Sequence, residues 1–293
     1  MAGETTTGSL ADSLPLIIDS ARIRREYPQV AWKLCEQHKL DANTGLSWEE
    51  VEFARLTAQR ITETTRLQNY QQYADTMARY TPTMSGLATL VTDKVYARLS
   101  KVCLAQMGSL AQDAMERLKD QDVITAIDGF TNSTPGTGST LSSSHVTAAF
   151  ANERGNTTEG ATGAAFLLLH GFQLKDVQDE LVSGVGTYPL PAGITADVWR
   201  QGFAGGMLDG AEIYIDNNIP LSTTPDAKGG AFYRMALLAV QGEAKKTKTV
   251  RDEEYGGGAE KMFHYDEYVV GERTPNSVSV LGWEIMSDAT APA

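Results

Sequence analysis

The chain has 293 residues, a formal net charge of −12, two cysteines and four histidines. The length suits about two domains of ~150 residues, and 42% hydrophobic with 21% charged residues excludes wholesale disorder. No apolar run reaches the ~18 residues of a membrane-crossing helix; Cys35 and Cys103 stand far apart without a CxxC pair, against a disulfide scaffold or thiolate metal site; and the acidity disfavours tight binding to nucleic-acid phosphates.

In chain order, residues 1 to about 15 read as a flexible arm, with Thr5-Thr6-Thr7-Gly8-Ser9 and no apolar period. The start, Met1-Ala2-Gly3-Glu4, lacks the basic and apolar regions of a signal peptide. From Leu16 to Leu40, apolar Ile17, Ile18, Ile23, Tyr27, Val30, Trp32 and Leu34 predict a short helix, then an extended or turning stretch after Pro28. Asp41 to Gly45 is a turn by composition. Ser47-Trp48-Glu49-Glu50 has the form of a capping box and predicts a helix through Leu56 and Ile61. The polar stretch that follows, with Thr64, Thr65, Gln68, Asn69, Tyr70, Gln71, Gln72 and Tyr73, has too few apolar residues to build its own core. Tyr80 to Val91 alternates, with Tyr80, Pro82, Met84, Gly86, Ala88 and Leu90 on one face. That is an edge or irregular strand, because proline cannot donate to a ladder.

The strongest helix runs from a Thr92 or Asp93 cap to Lys119, with Val95, Leu99, Val102, Met107, Leu110, Ala114 and Leu118 near the helical period. It is able to continue through Ile124 and Ile127 until Gly129 stops it. Residues 129–144 form a low-complexity loop, and Ser142–Ser144 cap a short helix with Val146, Ala149 and Phe150. Ala164 to Leu169 is a buried strand, Phe172 to Val182 a helix, and Ala211 to Asp216 a strand. Phe232 to Val240 is an apolar strand or run. Thr247 to Glu253 and Glu267 to Glu272 are strands on either side of Gly256-Gly257-Gly258, and Val278, Val280, Ile285 and Met286 supply a last piece. One long helix, shorter helices and late strands make the class α+β.

Candidate chemistry is sparse. His38, His145, His170 and His264 form no HxxH or HExxH motif. Ser142–Ser144 beside His145 lack a GxSxG elbow. Gly136-Thr137-Gly138-Ser139-Thr140 lacks the lysine of a phosphate-binding loop. Pro225-Asp226 and Glu243-Ala244-Lys245 fit the loose spacing of Mg²⁺ nucleases, with Asp226 and Glu243 as ligands and Lys245 positioning the nucleophile; Lys245, Lys246 and Lys248 fit an exposed face equally well. Asp252-Glu253-Glu254 is a solvent-facing run. No catalytic, cofactor-binding or metal-ligating residue is assigned, and no enzyme activity is expected.

What the sequence does offer is an arm, an excursion unable to fold alone and a long helix. Their order resembles the major capsid protein of tailed bacteriophages, with the Hong Kong 97-type fold. Gly45-Leu46-Ser47-Trp48 stands where that family enters its extended E-loop. Tyr80 to Gly86, leading into Val91-Thr92-Asp93, stands where the second E-loop strand runs into the spine helix. The helix carries Gly108, Asp113, Glu116 and Lys119; Phe166 to His170 with the helix to Val182, and Gly210 to Pro220, resemble apical elements. Val250-Arg251-Asp252 and Tyr268 to Arg273 resemble the closing strands of the peripheral domain.

The resemblance implies an arm and lead-in over 1–45 and an E-loop over 46–91. It implies a peripheral domain with the spine helix over 92–140 and 241–293, and an apical domain over 141–240. It implies a self-assembling icosahedral shell of hexamers and pentamers around double-stranded DNA, without sequence-specific binding. A separate scaffolding, cement or decoration protein is a possible partner, and the location is the virion after assembly in the host cytoplasm. Intersubunit contacts are expected at Trp48, Arg66, Tyr70, Tyr73 and Arg79 of the E-loop and at Asp113, Glu116 and Arg117 of the spine. The capping box at Ser47 stands where the family has a strand. The alternatives are a cellular nanocompartment shell of the same fold, and the Mg²⁺ nuclease.

Overall fold

The computed structural model describes residues 4–5, 27–41, 43, 45–63, 70–98, 101–156, 160–182, 207–222, 226–273 and 281–291. Ile17, Ile18, Ile23, Thr64, Thr65, Arg66, Gln68, Asn69, Leu99, Pro225, Val278 and Val280 lie outside them, as do the side chains of Val102, Cys103 and Met107.

The first sheet combines β1 (Glu4–Thr5), β2 (Glu36–Lys39), β5 (Thr83–Thr92), β11 (Leu237–Gln241), β12 (Lys246–Asp252) and β13 (Ala259–Glu272). Its order is β1-β5-β13-β11-β2, with β12 also on β13. The 14-residue β13 is its centre. One edge pairs antiparallel with β5 from Ala259↔Thr92 to Tyr268↔Thr83. The other pairs first with β12, from Asp252↔Ala259 to Lys246↔Tyr265, and then with β11, from Gln241↔Tyr268 to Leu237↔Glu272.

The second sheet has the order β6-β14-β10-β7-β9-β8. These are β6 (Ser133–Pro135), β7 (Ala165–Leu169), β8 (Met207–Leu208), β9 (Ala211–Ile215), β10 (Asp226–Tyr233) and β14 (Gly282–Asp288). Helices α4 (Ser143–Arg154) and α5 (Gly171–Val182) belong to this half of the molecule. Between the sheets runs α3 (Lys101–Asp128), preceded by α2 (Asp93–Arg98) and packed on β13 and β5 as well as β10 and β14. The third β unit is a hairpin, β3 (Trp48–Phe53) with β4 (Asp75–Tyr80).

Strand β7 shows why the apolar run at 165–169 needs no polar face. Phe166 and Leu168 pack with Val123, Ile124 and Ile127 of α3, with Phe130 and with Phe232 of β10. Ala165, Leu167 and Leu169 face the other way, among Val146, Ala149 and Phe150 of α4 and Leu174 and Val177 of α5. A strand covered by helices on both faces reads as continuous hydrophobicity. At Gly229 the sheet closes tightly: a Cβ there would lie 2.3 Å from the carbonyl oxygen of Leu168, so only glycine fits.

Several expectations are corrected. Ser47 does not start a helix; residues 48–53 are a strand, paired from Trp48↔Tyr80 to Phe53↔Asp75. Tertiary partners override the local capping signal there. A helix occurs in the 16–40 segment at α1 (Ala31–Leu34), after Pro28, and the chain then becomes β2. In the long helix the buried face is Ala111, Met115, Asp120, Val123, Ile124 and Ile127, whereas Leu110 and Leu118 are exposed. The Phe232–Val240 run is two strands in different sheets, split by a 3₁₀ turn at Arg234–Ala236. The alternation at 80–91 is present, but Pro82 precedes β5, and Met84, Gly86 and Ala88 are its exposed face. Residues 133–135 of the low-complexity loop form a short strand parallel to β14.

Glu4–Thr5 of the expected flexible arm form β1, parallel to β5, while the readings at Gly129 and Ser142 hold. Gly129 ends α3, its N–H donating to Thr125 and Ala126 carbonyls at 3.2 Å. Ser142 and His145 make a helix cap: the Ser142 N–H lies 3.2 Å from His145 Nδ1, and the hydroxyl 2.8 Å from the same nitrogen.

Candidate functional site

The β3–β4 hairpin has a clamped base and, beyond it, a run of exposed residues. At the base, Arg273, just past β13, meets Glu50 of β3 side-on: Nε donates to Oε2 at 2.9 Å and Nη2 to Oε1 at 2.7 Å. Its Nη1 donates to Glu36 of β2. Two parallel charged hydrogen bonds fix direction as well as distance. The bond from Arg273 holds the Glu36 carboxyl below its ordinary value, against the opposing effect of burial.

Tyr80, buried at the end of β4, donates its hydroxyl to the Glu272 carbonyl at 2.8 Å. Burial, and then the charge of Glu50, push that phenol up to about 12. The His38 ring stacks on Trp48 with centroids 4.6 Å apart. The hairpin is thus tied at its base to β2 and β13 of the first sheet.

Beyond this base the strands separate from the molecule. Glu49 and Arg79, opposite one another in register, form an exposed pair at 2.6 Å. The ladder continues once more, from Ala54 N–H to the Ala74 carbonyl at 2.8 Å. Thr57 N–H then donates to the Gln71 side-chain oxygen at 2.8 Å. Residues 51–63 and 70–77 are exposed throughout. Phe53 is 68% exposed, Tyr70 93% and Tyr73 72%, with Val51, Leu56, Ile61 and Met77 also open. Scattered single apolar residues on a surface are ordinary, but here seven lie open along one projection.

The expected contact residues divide accordingly. Trp48 is half-buried at the base, and Tyr70, Tyr73 and Arg79 are exposed along the projection. Asp113, Glu116 and Arg117 lie on α3, where Glu116 accepts from Gln112 at 3.0 Å and meets Lys245 at 3.5 Å. The clamp residues Arg273, Glu36 and Tyr80 were not predicted as a site. They meet across separations of up to 237 residues, which no local pattern encodes.

The nuclease constellation does not form. Asp226 is buried in β10 of the second sheet, its Oδ1 accepting from Gly138 N–H at 2.8 Å. Glu243 follows β11 of the first sheet and pairs with Lys246 at 2.6 Å, while Lys245 turns to Glu116. No cluster of three metal-ligating side chains exists among the described residues.

No family model matches the chain, and no curated protein does. Solved structures do. The cyanophage Pam1 capsid asymmetric unit superposes with a TM-score of 0.70 at 10% identity, covering 100% of both chains. A structure from Mycobacterium phage Che8 has a TM-score of 0.70 at 14% identity, covering 92% of this chain and 96% of that one. The holo-SrpI encapsulin complex from Synechococcus elongatus PCC 7942 has a TM-score of 0.62 at 10% identity, covering 99% and 98%. The fold is therefore the α+β Hong Kong 97-type capsid fold, over nearly the whole chain.

Proposed function

We propose that the chain is a major capsid protein, a structural subunit whose copies close into the icosahedral head shell of a tailed phage. The single observation that carries this is the superposition on a phage capsid subunit over 100% of both chains. The hairpin supports it physically, since its described apolar residues Val51, Phe53, Leu56, Ile61, Tyr70, Tyr73 and Met77 are exposed. In this reading residues 1–45 are the arm and lead-in, 46–91 the E-loop, 92–140 with 241–293 the peripheral domain, and 141–240 the apical domain. Trp48, Arg66, Tyr70, Tyr73, Arg79, Asp113, Glu116 and Arg117 face neighbouring subunits. Hexamers and pentamers enclose DNA without reading its sequence. Assembly takes place in the host cytoplasm, with or without a separate scaffolding, cement or decoration protein, and the product is the virion shell.

The test is expression of the full chain followed by size exclusion and negative-stain microscopy. Regular shells or capsomers are expected. Deleting residues 62–78 should leave a folded subunit that no longer assembles, and intact particles from that deletion would remove the hairpin from the intersubunit role. A discrete monomer that cuts DNA with Mg²⁺ would overturn the reading. The encapsulin neighbour favours a second reading, a nanocompartment shell, and co-purifying protein cargo in place of nucleic acid would select it.

The excursion also predicts how the shell is fastened. No lysine lies between Lys39 and Lys94, so this loop has no amine to offer an isopeptide bond. Particles boiled in detergent should run as a single subunit band, and a ladder would show covalent fastening through lysines elsewhere.

A further inference from the structure

At the head of α1 the structure buries a carboxyl pair that packing alone does not explain. Three elements meet there: the head of α1, Asp120 on α3, and the turn Asp216–Asn218 after β9. Asp120 is fully buried. Its Oδ1 accepts the backbone N–H groups of Val30 at 3.1 Å and Trp32 at 3.3 Å, and its Oδ2 accepts Asn218 Nδ2 at 2.9 Å. Three donors are what a buried carboxylate requires.

Asp216 stands beside it, 1% exposed. One oxygen accepts the Asn218 N–H at 2.8 Å, but the other, Oδ2, is buried with no hydrogen-bond partner. An ionised Asp216 would leave a bare lone pair and a second negative charge against Asp120. A protonated Asp216 removes both faults, since its hydroxyl offers a donor to Asp120, whose oxygens retain free lone pairs.

Among the described residues neither carboxyl is paired with a cation. On α3, Lys119 and Asp122 turn away to Asp266 and Tyr268. Lys33 on α1 is exposed. Cys35, at the end of α1, is pushed up to about 12 by burial and then by the charge of Asp120, while Arg234 acts on it in the opposite sense. His170, closing β7, is shifted toward its neutral form by burial.

We propose that Asp120 and Asp216 form a proton-gated latch, in which one proton held between the two carboxyls fastens the head of α1 to the long helix and to the second sheet, and its loss lets that joint open. Burial first, and then the hydrogen bond and charge of Asp120, hold Asp216 at about 8. An opened joint leaves Asp216 in water with an ordinary aspartate value. Between that value and about pH 8 the opened form binds fewer protons than the closed one. Opening therefore gains up to about tenfold per pH unit over that range and levels off above it. The latch is closed in acid and loosened in alkali.

Cys35 is the reporter, because its thiol is buried in the same joint, 3.6 Å from the Ala31 carbonyl. In the full chain carrying Cys103→Ser, Cys35 is labelled with an aromatic disulfide from about pH 6 to about pH 9. Each rate is divided by the rate of the same chain in denaturant, which cancels the intrinsic rise in thiolate. The quotient should climb by up to about tenfold per pH unit toward pH 8. In Asp216→Asn it should stay flat, because the amide donates to Asp120 at every pH. Parallel profiles for the two chains overturn the proposal. Should Asp216→Asn fail to fold, infrared difference spectra of the unaltered chain with its aspartate carboxyls labelled with carbon-13 decide, since the label sets aspartates apart from buried Glu153 and Glu284, which burial also shifts toward their protonated forms: an isotope-shifted protonated-carboxyl band present near pH 6 and gone by pH 9 supports the latch, and its absence near pH 6 refutes it.

Discussion

Strand β7 and the β3–β4 hairpin are two short pieces of β-structure with opposite fates. Every residue of β7 is buried, because α3 covers one face and α4 with α5 the other. The hairpin buries only Tyr80, half-buries Trp48, Glu50 and Ala78, and leaves Val51, Phe53 and Met77 in the open. The first finds all its partners in its own subunit. Among its described residues, the second is tied to the body at its base. In the proposed shell, stability and assembly are therefore lodged in different residues, and substitutions should separate them.

The difference is broken hardest at the core. Phe232→Ala removes a ring that packs against Phe130 and Phe166. It should cost about 3–5 kcal/mol in urea unfolding and abolish soluble subunit and particle together. Lys119→Met should come close behind. It leaves Asp266, 1% exposed and paired with Lys119 at 2.8 Å, without its counter-ion, a loss of about 3–5 kcal/mol for a buried pair.

Arg273→Ala probes the boundary between the two regions. Loss of charged hydrogen bonds to Glu50 and Glu36 should cost about 1.5–3 kcal/mol. Hydrogen exchange should quicken in 48–53 and 75–80 while 165–169 stays protected. Equal loosening of both regions would mean the clamp supports the whole body and not the hairpin. The smallest effect on the subunit is expected from Phe53→Ser. Its unfolding midpoint should shift by less than about 0.5 kcal/mol, yet particle yield should fall. Unchanged yield would take Phe53 out of the contact surface.

What was legible in the sequence follows from how far each determinant reaches along the chain. The run at 165–169, the helix from 171 and the stop at Gly129 are written in adjacent residues, and all three were readable. The Ser142 cap was readable because its partner His145 is three residues away. Trp48 to Phe53 was misread because Ser47 and Glu50 carry a local helix signal. The partners that decide the matter, Tyr80, His38 and Arg273, are remote. The buried stripe of α3 was displaced for a related reason. Leu110 and Leu118 have the right spacing, but the neighbours of α3 bury Ala111, Met115 and Val123 instead. The excursion was recognised by what it lacks, an apolar complement of its own, which composition does report. Its clamp was not, because Arg273 lies 223 residues from Glu50.

That clamp also determines how force travels. A pull on the hairpin tip along its length reaches Tyr80 and Glu50, and through them Glu272 and Arg273. There the load enters β13, which lies in antiparallel register with β5 over ten residue pairs. Tension directed along paired strands strains their hydrogen bonds together and not one after another. A load on the hairpin thus passes into a strand paired along both of its edges, and not into a loop.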